Sequence, residues 1–210
     1  GCLRVTFERP LPVFLTWRDT QNKRKCDQVL NLNACGRGSR ILNNHFYNHR
    51  VRGVLMRAPD SVISGNHFEA LPGPAIVVSN DGGFLSEGPS GNGTIIENNR
   101  FTHIQRSNIW INSSVGEKGP DATRGVVDVQ ILNNTFENYG GVSITGRGEV
   151  GNVFYIKNAS DLLIRGNRIG SSTVEGTPLI LEDTESISWE DNLIHGRPLK
   201  ALINMASIKE

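Results

Sequence analysis

One short pattern constrains this chain more than any other. Arg40-Ile-Leu-Asn-Asn-His-Phe46 returns as Val62-Ile-Ser-Gly-Asn-His-Phe68 and as Thr94-Ile-Ile-Glu-Asn-Asn-Arg-Phe101. It returns again as Val129-Gln-Ile-Leu-Asn-Asn-Thr-Phe136, Leu162-Leu-Ile-Arg-Gly-Asn-Arg-Ile169 and Ile187-Ser-Trp-Glu-Asp-Asn-Leu-Ile194. The shared Asn are Asn44, Asn66, Asn99, Asn134, Asn167 and Asn192, spaced 22, 33, 35, 33 and 25 residues apart. Repeats of this length belong to solenoids, propellers or arrays. The runs are short, β-branched and alternating, and no long window carries a helical period, so the unit is a strand-turn-strand coil. One such unit cannot bury its apolar face alone, but stacked units can. The pattern therefore predicts an all-β chain folded as a right-handed parallel β-helix, a single-stranded solenoid in which each Asn stacks on its counterpart.

The phase within the coil supports this expectation. The tenth residue after each Asn is Val54, Ile76, Ile109, Ile144 and Leu202, with Thr177 breaking the series in the fifth coil. The twelfth is Met56, Val78 and Ile111 in the first three coils. Both rows should face the core, and the eleventh and thirteenth should point outward. The thirteenth row is Arg57, Ser79 and Asn112; the eleventh is Leu55, Val77 and Trp110, apolar enough to need partial cover.

Residues 1–210 read as one such domain, part of a longer solenoid. The chain starts at Gly1-Cys2-Leu3 with no signal-peptide pattern, and no helical cap is visible, so a preceding segment or another subunit is expected to cover an end. The runs Cys2–Phe7, Val13–Trp17 and Leu199–Ile208 are further strand candidates. The net charge of +1 with pI about 7.9 holds no basic stripe for nucleic acid. No apolar run is long enough for a membrane. Cys26 and Cys35 could close a small loop or be two buried thiols. No zinc spacing, phosphate loop or calcium repeat occurs, so neither metal nor cofactor is expected.

Coils two to four are longer than the first by 11, 13 and 11 residues, with the extra length read at Asn80–Gly91, Asn112–Gly125 and Thr145–Asn152. Insertions at one offset emerge on one side of a solenoid, and here they should wall a cleft beside the outward strip. Such a strip offers one side chain per coil at about 4.8 Å, a spacing suited to an oligo- or polysaccharide. Asp81 and Glu87, in the first long connector, are the candidate catalytic pair, because glycoside hydrolysis needs two carboxyl groups. Two solvated loop acids would give the same sequence. Arg52, Arg57, Asn80, Trp110 and Asn112 are the candidate sugar-binding residues, Trp110 through its apolar ring face. Further loop charges are Glu117, Asp121, Arg124, Arg147 and Glu149. His45 and His67, at equal positions one coil apart, read as a stacked exterior pair.

A family resemblance rests on four stretches: Val5-Thr-Phe-Glu-Arg-Pro-Leu-Pro12, Ile41-Leu-Asn-Asn-His-Phe46, His49-Arg-Val-Arg-Gly-Val-Leu-Met56 and Ala75-Ile-Val-Val-Ser-Asn-Asp-Gly-Gly-Phe-Leu-Ser-Glu-Gly88. Over about residues 1–140 the chain resembles the C-terminal half of the pectin-lyase-like β-helix in glycoside hydrolase family 110, the inverting exo-α-1,3-galactosidases. Arg52-Gly53, Asp81, Phe84 and Glu87-Gly88 carry the match. The resemblance implies a secreted, extracellular or periplasmic enzyme that hydrolyses terminal α-linked galactose or a similar sugar. The chain lacks the family's adjacent Asp-Asp acid/base pair, and Phe84 stands where the family tends to have Trp or Tyr. The acid and base then lie outside this chain, or the chemistry has been lost. Polysaccharide lyase and non-catalytic glycan-binding or structural β-helix are the competing expectations.

Overall fold

The repeated Asn do stack, and they do so by a specific hydrogen-bonding pattern. Our computed structural model describes residues 6, 8–10, 30–80, 88–113, 124–140, 151–172 and 178–198. The Asn44 backbone N–H and side-chain Nδ2 both donate to Asn66 Oδ1, at 2.9 and 3.1 Å. Asn66 does the same to Asn99, Asn99 to Asn134, Asn134 to Asn167 and Asn167 to Asn192, all between 2.8 and 3.1 Å. The second Nδ2 hydrogen goes to the preceding coil: Asn99 Nδ2 to Ile63 O and Asn134 Nδ2 to Ile96 O, both 2.9 Å. Each inner amide thus has two donors and two accepted bonds in use, so its burial leaves nothing unsatisfied.

The residue before each ladder Asn explains why the chain can bend there. Asn43, Gly65, Asn98, Asn133, Gly166 and Asp191 all have φ between 50° and 68°. Gly, Asn and Asp are the residues that enter this left-handed region at least cost. Asn-Asn, Gly-Asn and Asp-Asn are therefore corner dipeptides: the first residue turns the backbone, the second ties the turn to its neighbour.

The strands follow in coils. The first holds β1 (Arg40–Leu42), β2 (His45–Tyr47) and β3 (Val54–Met56). The second holds β4 (Val62–Ser64), β5 (His67–Glu69) and β6 (Ile76–Asn80), and the third β7 (Ile95–Glu97), β8 (Arg100–Thr102) and β9 (Ile109–Ser113). Then come β10 (Val126–Leu132), β11 (Thr135–Glu137), β12 (Phe154–Arg165), β13 (Arg168–Ile169), β14 (Leu179–Glu190), β15 (Leu193–Ile194) and β16 (Arg197–Pro198). They form three ladders, β1-β4-β7-β10, β2-β5-β8-β11-β13-β15 and β3-β6-β9, the first and third meeting on β12 and β14. Every pairing is parallel except β15 with β16. The architecture is all-β and solenoid-like, a curled parallel sheet closing around one core.

Like residues stack inside. Phe46, Phe68, Phe101 and Phe136 form a column with ring centroids 4.8, 5.1 and 4.7 Å apart and planes within 13°. Ile41, Ile63, Ile96, Ile131 and Ile164 form a second column, ended by Trp189. Parallel in-register strands place identical side chains one above another, so one apolar shape repeated per coil fills the interior. The first coil is the edge of the described stack: Leu30, Leu32, Leu42, Tyr47, Val51 and Leu55, all in or beside it, are exposed.

Register corrects two expectations. The position that stacks on Ile109 is Phe154, and on Phe154 is Leu179. That row is held there by Phe154 and Leu179, while Ile144 and Thr177 lie outside the described residues. The apparent break at Thr177 is an effect of counting. The third long connector is also misplaced by counting. In coils two and three the extra residues follow β6 and β9, but in the fourth they precede β12. β12 runs without a break through two ladders, so no connector can leave between them. The long connectors are therefore attached at both ends of the outer-face strands. The strand candidates at Cys2–Phe7, Val13–Trp17 and Leu199–Ile208 are outside the described residues, save Thr6. Among those described, none is helical.

The ladder makes a graded prediction. Asn99→Ala strands the Asn66 N–H in a buried site and should cost about 2–4 kcal/mol. Asn44→Ala, at the exposed end, should cost less than about 1.5 kcal/mol. Urea unfolding of both variants checks the order.

Candidate functional site

The outward face of the β3-β6-β9 ladder carries a cleft of about 280 Å³. Arg52, Arg57, Asn80, Trp110 and Asn112 all line it. Arg52 and Arg57 bracket β3, Asn80 ends β6, and Trp110 and Asn112 project from β9. Register accounts for the convergence, because Val77 pairs with Trp110, Ser79 with Asn112 and Asn80 with Ser113. Arg57 Nε donates to Ser79 Oγ at 3.4 Å, lying along the row it heads. Arg106, Leu55 and Val77 are also part of the lining. Val77 is nearly buried and Leu55 exposed, so the apolar eleventh row is the floor of this cleft, which is why it is not polar.

Several of these side chains also have structural work. Asn80 is buried, and its Nδ2 donates to Gly88 O at 3.3 Å, drawing together the two ends of the connector between them. Gly88 sits against Arg57: a Cβ there would come 2.9 Å from Arg57 Cβ, and its φ is +61°. The connector that holds Asp81, Phe84 and Glu87 thus starts and finishes at the cleft. Those three residues are outside the described ones, as are Glu117, Asp121, Arg147, Glu149 and Cys26. Cys35 is a free thiol whose Sγ–H donates to Leu32 O at 3.1 Å. Trp110 is half-buried, with the Arg106 guanidinium 5.9 Å above its ring and the Tyr155 ring edge-on at 5.6 Å. Arg106 therefore lies over the ring in a cation–π contact.

Sequence reading missed Arg106 and Tyr155. Arg106 lies in the turn before β9, where nothing in the repeat marks it. Tyr155 pairs with Trp110 in register, but counting from Asn134 assigned that row to residues ten positions earlier. Beyond it the outward row continues from Asn112 to Lys157 and Glu182. Lys157 Nζ donates to Glu182 Oε2 at 2.6 Å, and this hydrogen bond raises the lysine pKa. Tyr155 Oη–H donates to the same oxygen at 3.3 Å.

A different ladder carries a second cluster. On β2 and β5, His45 and His67 stack with ring centroids 4.6 Å apart and planes 5° apart, as expected of the exterior pair. His45 Nε2 is 2.8 Å from Glu69 Oε2. His67 Nε2 is 2.8 Å from Thr102 Oγ1. Burial, then the neighbouring His45, lowers the His67 pKa. One nitrogen or oxygen from each of His45, His67 and Glu69 lies within 4.8 Å of the others, a set able to hold a metal ion.

Comparison with known proteins adds one match. The chain is 25% identical over 183 residues to an alpha-1,3-galactosidase B of Bacteroides thetaiotaomicron, covering 84% of this chain and 29% of that protein. It spans less than a third of the length of this curated relative. No family model matches the chain. The weak, partial likeness, joined to the all-parallel β fold, hints at a carbohydrate-active superfamily and reaches no particular family, reaction or substrate.

Arg52-Gly53, part of the family resemblance, has a packing role in Gly53. A Cβ on Gly53 would lie 2.8 Å from both Ala75 O and the Phe68 ring. Gly53→Ala should therefore destabilise the fold by about 1–3 kcal/mol with or without ligand. Arg52→Ala, at an exposed side chain, should stay within about 0.5 kcal/mol. Thermal unfolding of the pair separates the two contributions.

Proposed function

We propose that this chain is a right-handed single-stranded parallel β-helix and the sugar-binding part of a secreted glycoside hydrolase. Its substrate is a glycan ending in α-linked galactose or a similar sugar, hydrolysed with inversion. The observation that supports this best is the cleft over β3, β6 and β9, with an aromatic ring on its floor and arginine and amide groups around it. Sugar sites combine these features: apolar C–H faces stack on an aromatic ring, and ring hydroxyls take hydrogen bonds from planar donors. The partial likeness to an alpha-1,3-galactosidase supports the choice of sugar and linkage in this reading.

Within this reading Trp110 carries the sugar's apolar face. Arg52, Arg57, Asn80 and Asn112 bind hydroxyls. Inverting hydrolysis needs a general acid for the leaving oxygen and a base for water, about 6.5–9.5 Å apart. Asp81 and Glu87 are the candidates within this chain, on the connector whose ends meet the cleft. With no Asp-Asp pair in the sequence, the alternative is that both acids are supplied from outside the chain, and Asp81 and Glu87 then bind substrate. The arginines Arg52, Arg57 and Arg106 on one cleft also favour a second reading, a lyase that neutralises a uronate before proton abstraction.

Incubation with α-1,3-galactosyl oligosaccharides, followed by NMR of the released anomer, tests the proposal. Inverted galactose supports hydrolysis; an ultraviolet-absorbing unsaturated product from uronate polymers would replace it with the lyase. Asp81→Asn or Glu87→Gln should lower turnover by about 100-fold or more if that residue is acid or base. Trp110→Ala and Arg57→Ala should each weaken glycan binding by about tenfold, checked by calorimetry. Unchanged binding in both variants would remove the cleft from consideration.

A further inference from the structure

The His45–His67–Glu69 cluster lies on the outward face of the β2-β5-β8 ladder, on a different wall of the solenoid from the cleft. We propose that it is a binding site for a divalent transition metal ion of the zinc type. Two imidazoles and one carboxylate are a donor set such ions take, with the remaining positions open to water or a ligand.

Fold geometry makes the site. His45 and His67 are exact register partners across β2 and β5, and Tyr47 and Glu69 are the next outward pair. The glutamate therefore stands diagonal to His45, on the same face and one residue pair along. Two neighbouring coils bring all three donors together without any loop. Around tetrahedral zinc, ligand atoms are about 3.3 Å apart, given bonds of about 2.0–2.1 Å. The three groups already lie within 4.8 Å of one another; to bind one ion the two imidazoles, now stacked with planes 5° apart, must turn out of the stack so that a nitrogen of each faces the metal.

Surrounding contacts fit the assignment. Glu69 reaches His45 Nε2 at 2.8 Å, so the carboxylate is aimed at the imidazole it would share an ion with. Thr102 Oγ1 holds one nitrogen of His67 at 2.8 Å, a contact of the kind that fixes the orientation of ligating rings. The next side chain in the row, Arg100, is turned to Glu137 at 2.8 Å, which offsets its charge. His45 and Glu69 are each more than two-fifths exposed, so an ion can enter from solvent.

Calorimetric titration of the whole chain with Zn²⁺ in a non-chelating buffer tests this. One saturable equivalent is expected. His45→Ala and Glu69→Gln should each weaken it by at least about tenfold, since each deletes a ligand. His103→Ala, at an exposed histidine outside the cluster, should leave it unchanged. Both ligand substitutions fall at half-exposed side chains, and thermal unfolding confirms that the variants fold. Absence of saturable binding, or a single equivalent that survives both substitutions, overturns the site.

Discussion

Everything in this molecule depends on a corner made of two residues. The first takes a left-handed backbone conformation, and the second presents an amide that bonds to the coils before and after it. A carboxamide offers two donor hydrogens and an oxygen with two acceptor sites, so identical corners can be stacked without limit. A serine corner would offer one donor hydrogen where the amide uses two, and a charged corner would repel its copy about 4.8 Å away. The five links from Asn44 to Asn192 set the vertical register, and register then sets which side chains meet on every wall.

Inside, that register produces columns: phenylalanine on phenylalanine, isoleucine on isoleucine. Outside, it produces rows, and rows are where function can be built. A change in one coil alters one rung while the corner keeps the others in place. The wall bearing β3, β6 and β9 shows the result. Its outward residues differ from rung to rung, from Leu55 to Val77, Trp110 and Tyr155, and one stretch is hollowed into a cleft. The wall bearing β2 and β5 repeats instead, and the repetition places two histidines face to face. Variation yields a shaped pocket; repetition yields a multidentate cluster.

Long connectors obey the same logic. They are confined to places where a strand ends, because a strand that runs on has its backbone groups committed to its neighbours. β6 and β9 end and release a connector, whereas β12 continues through two ladders and does not. Gly140 and Gly151 close the neck of the connector before β12, backbone against backbone with no room for a Cβ.

Much of this was legible in the residues themselves. Six returns of one motif gave the stacked, parallel, all-β architecture, and alternation gave the inward rows of the first three coils. Arg57, Trp110 and Asn112 were read on the outer face, and they line one cleft with Arg52 and Asn80. Where coil lengths change, counting failed: Ile144 and Thr177 were assigned to a row held by Phe154 and Leu179, and Tyr155 was overlooked. A local repeat determines what each corner and strand must be, because backbone conformation and burial act residue by residue. Which residue stands opposite which was decided only in three dimensions, because hydrogen bonds between coils align strands by their neighbours and ignore the number of residues looped out between them.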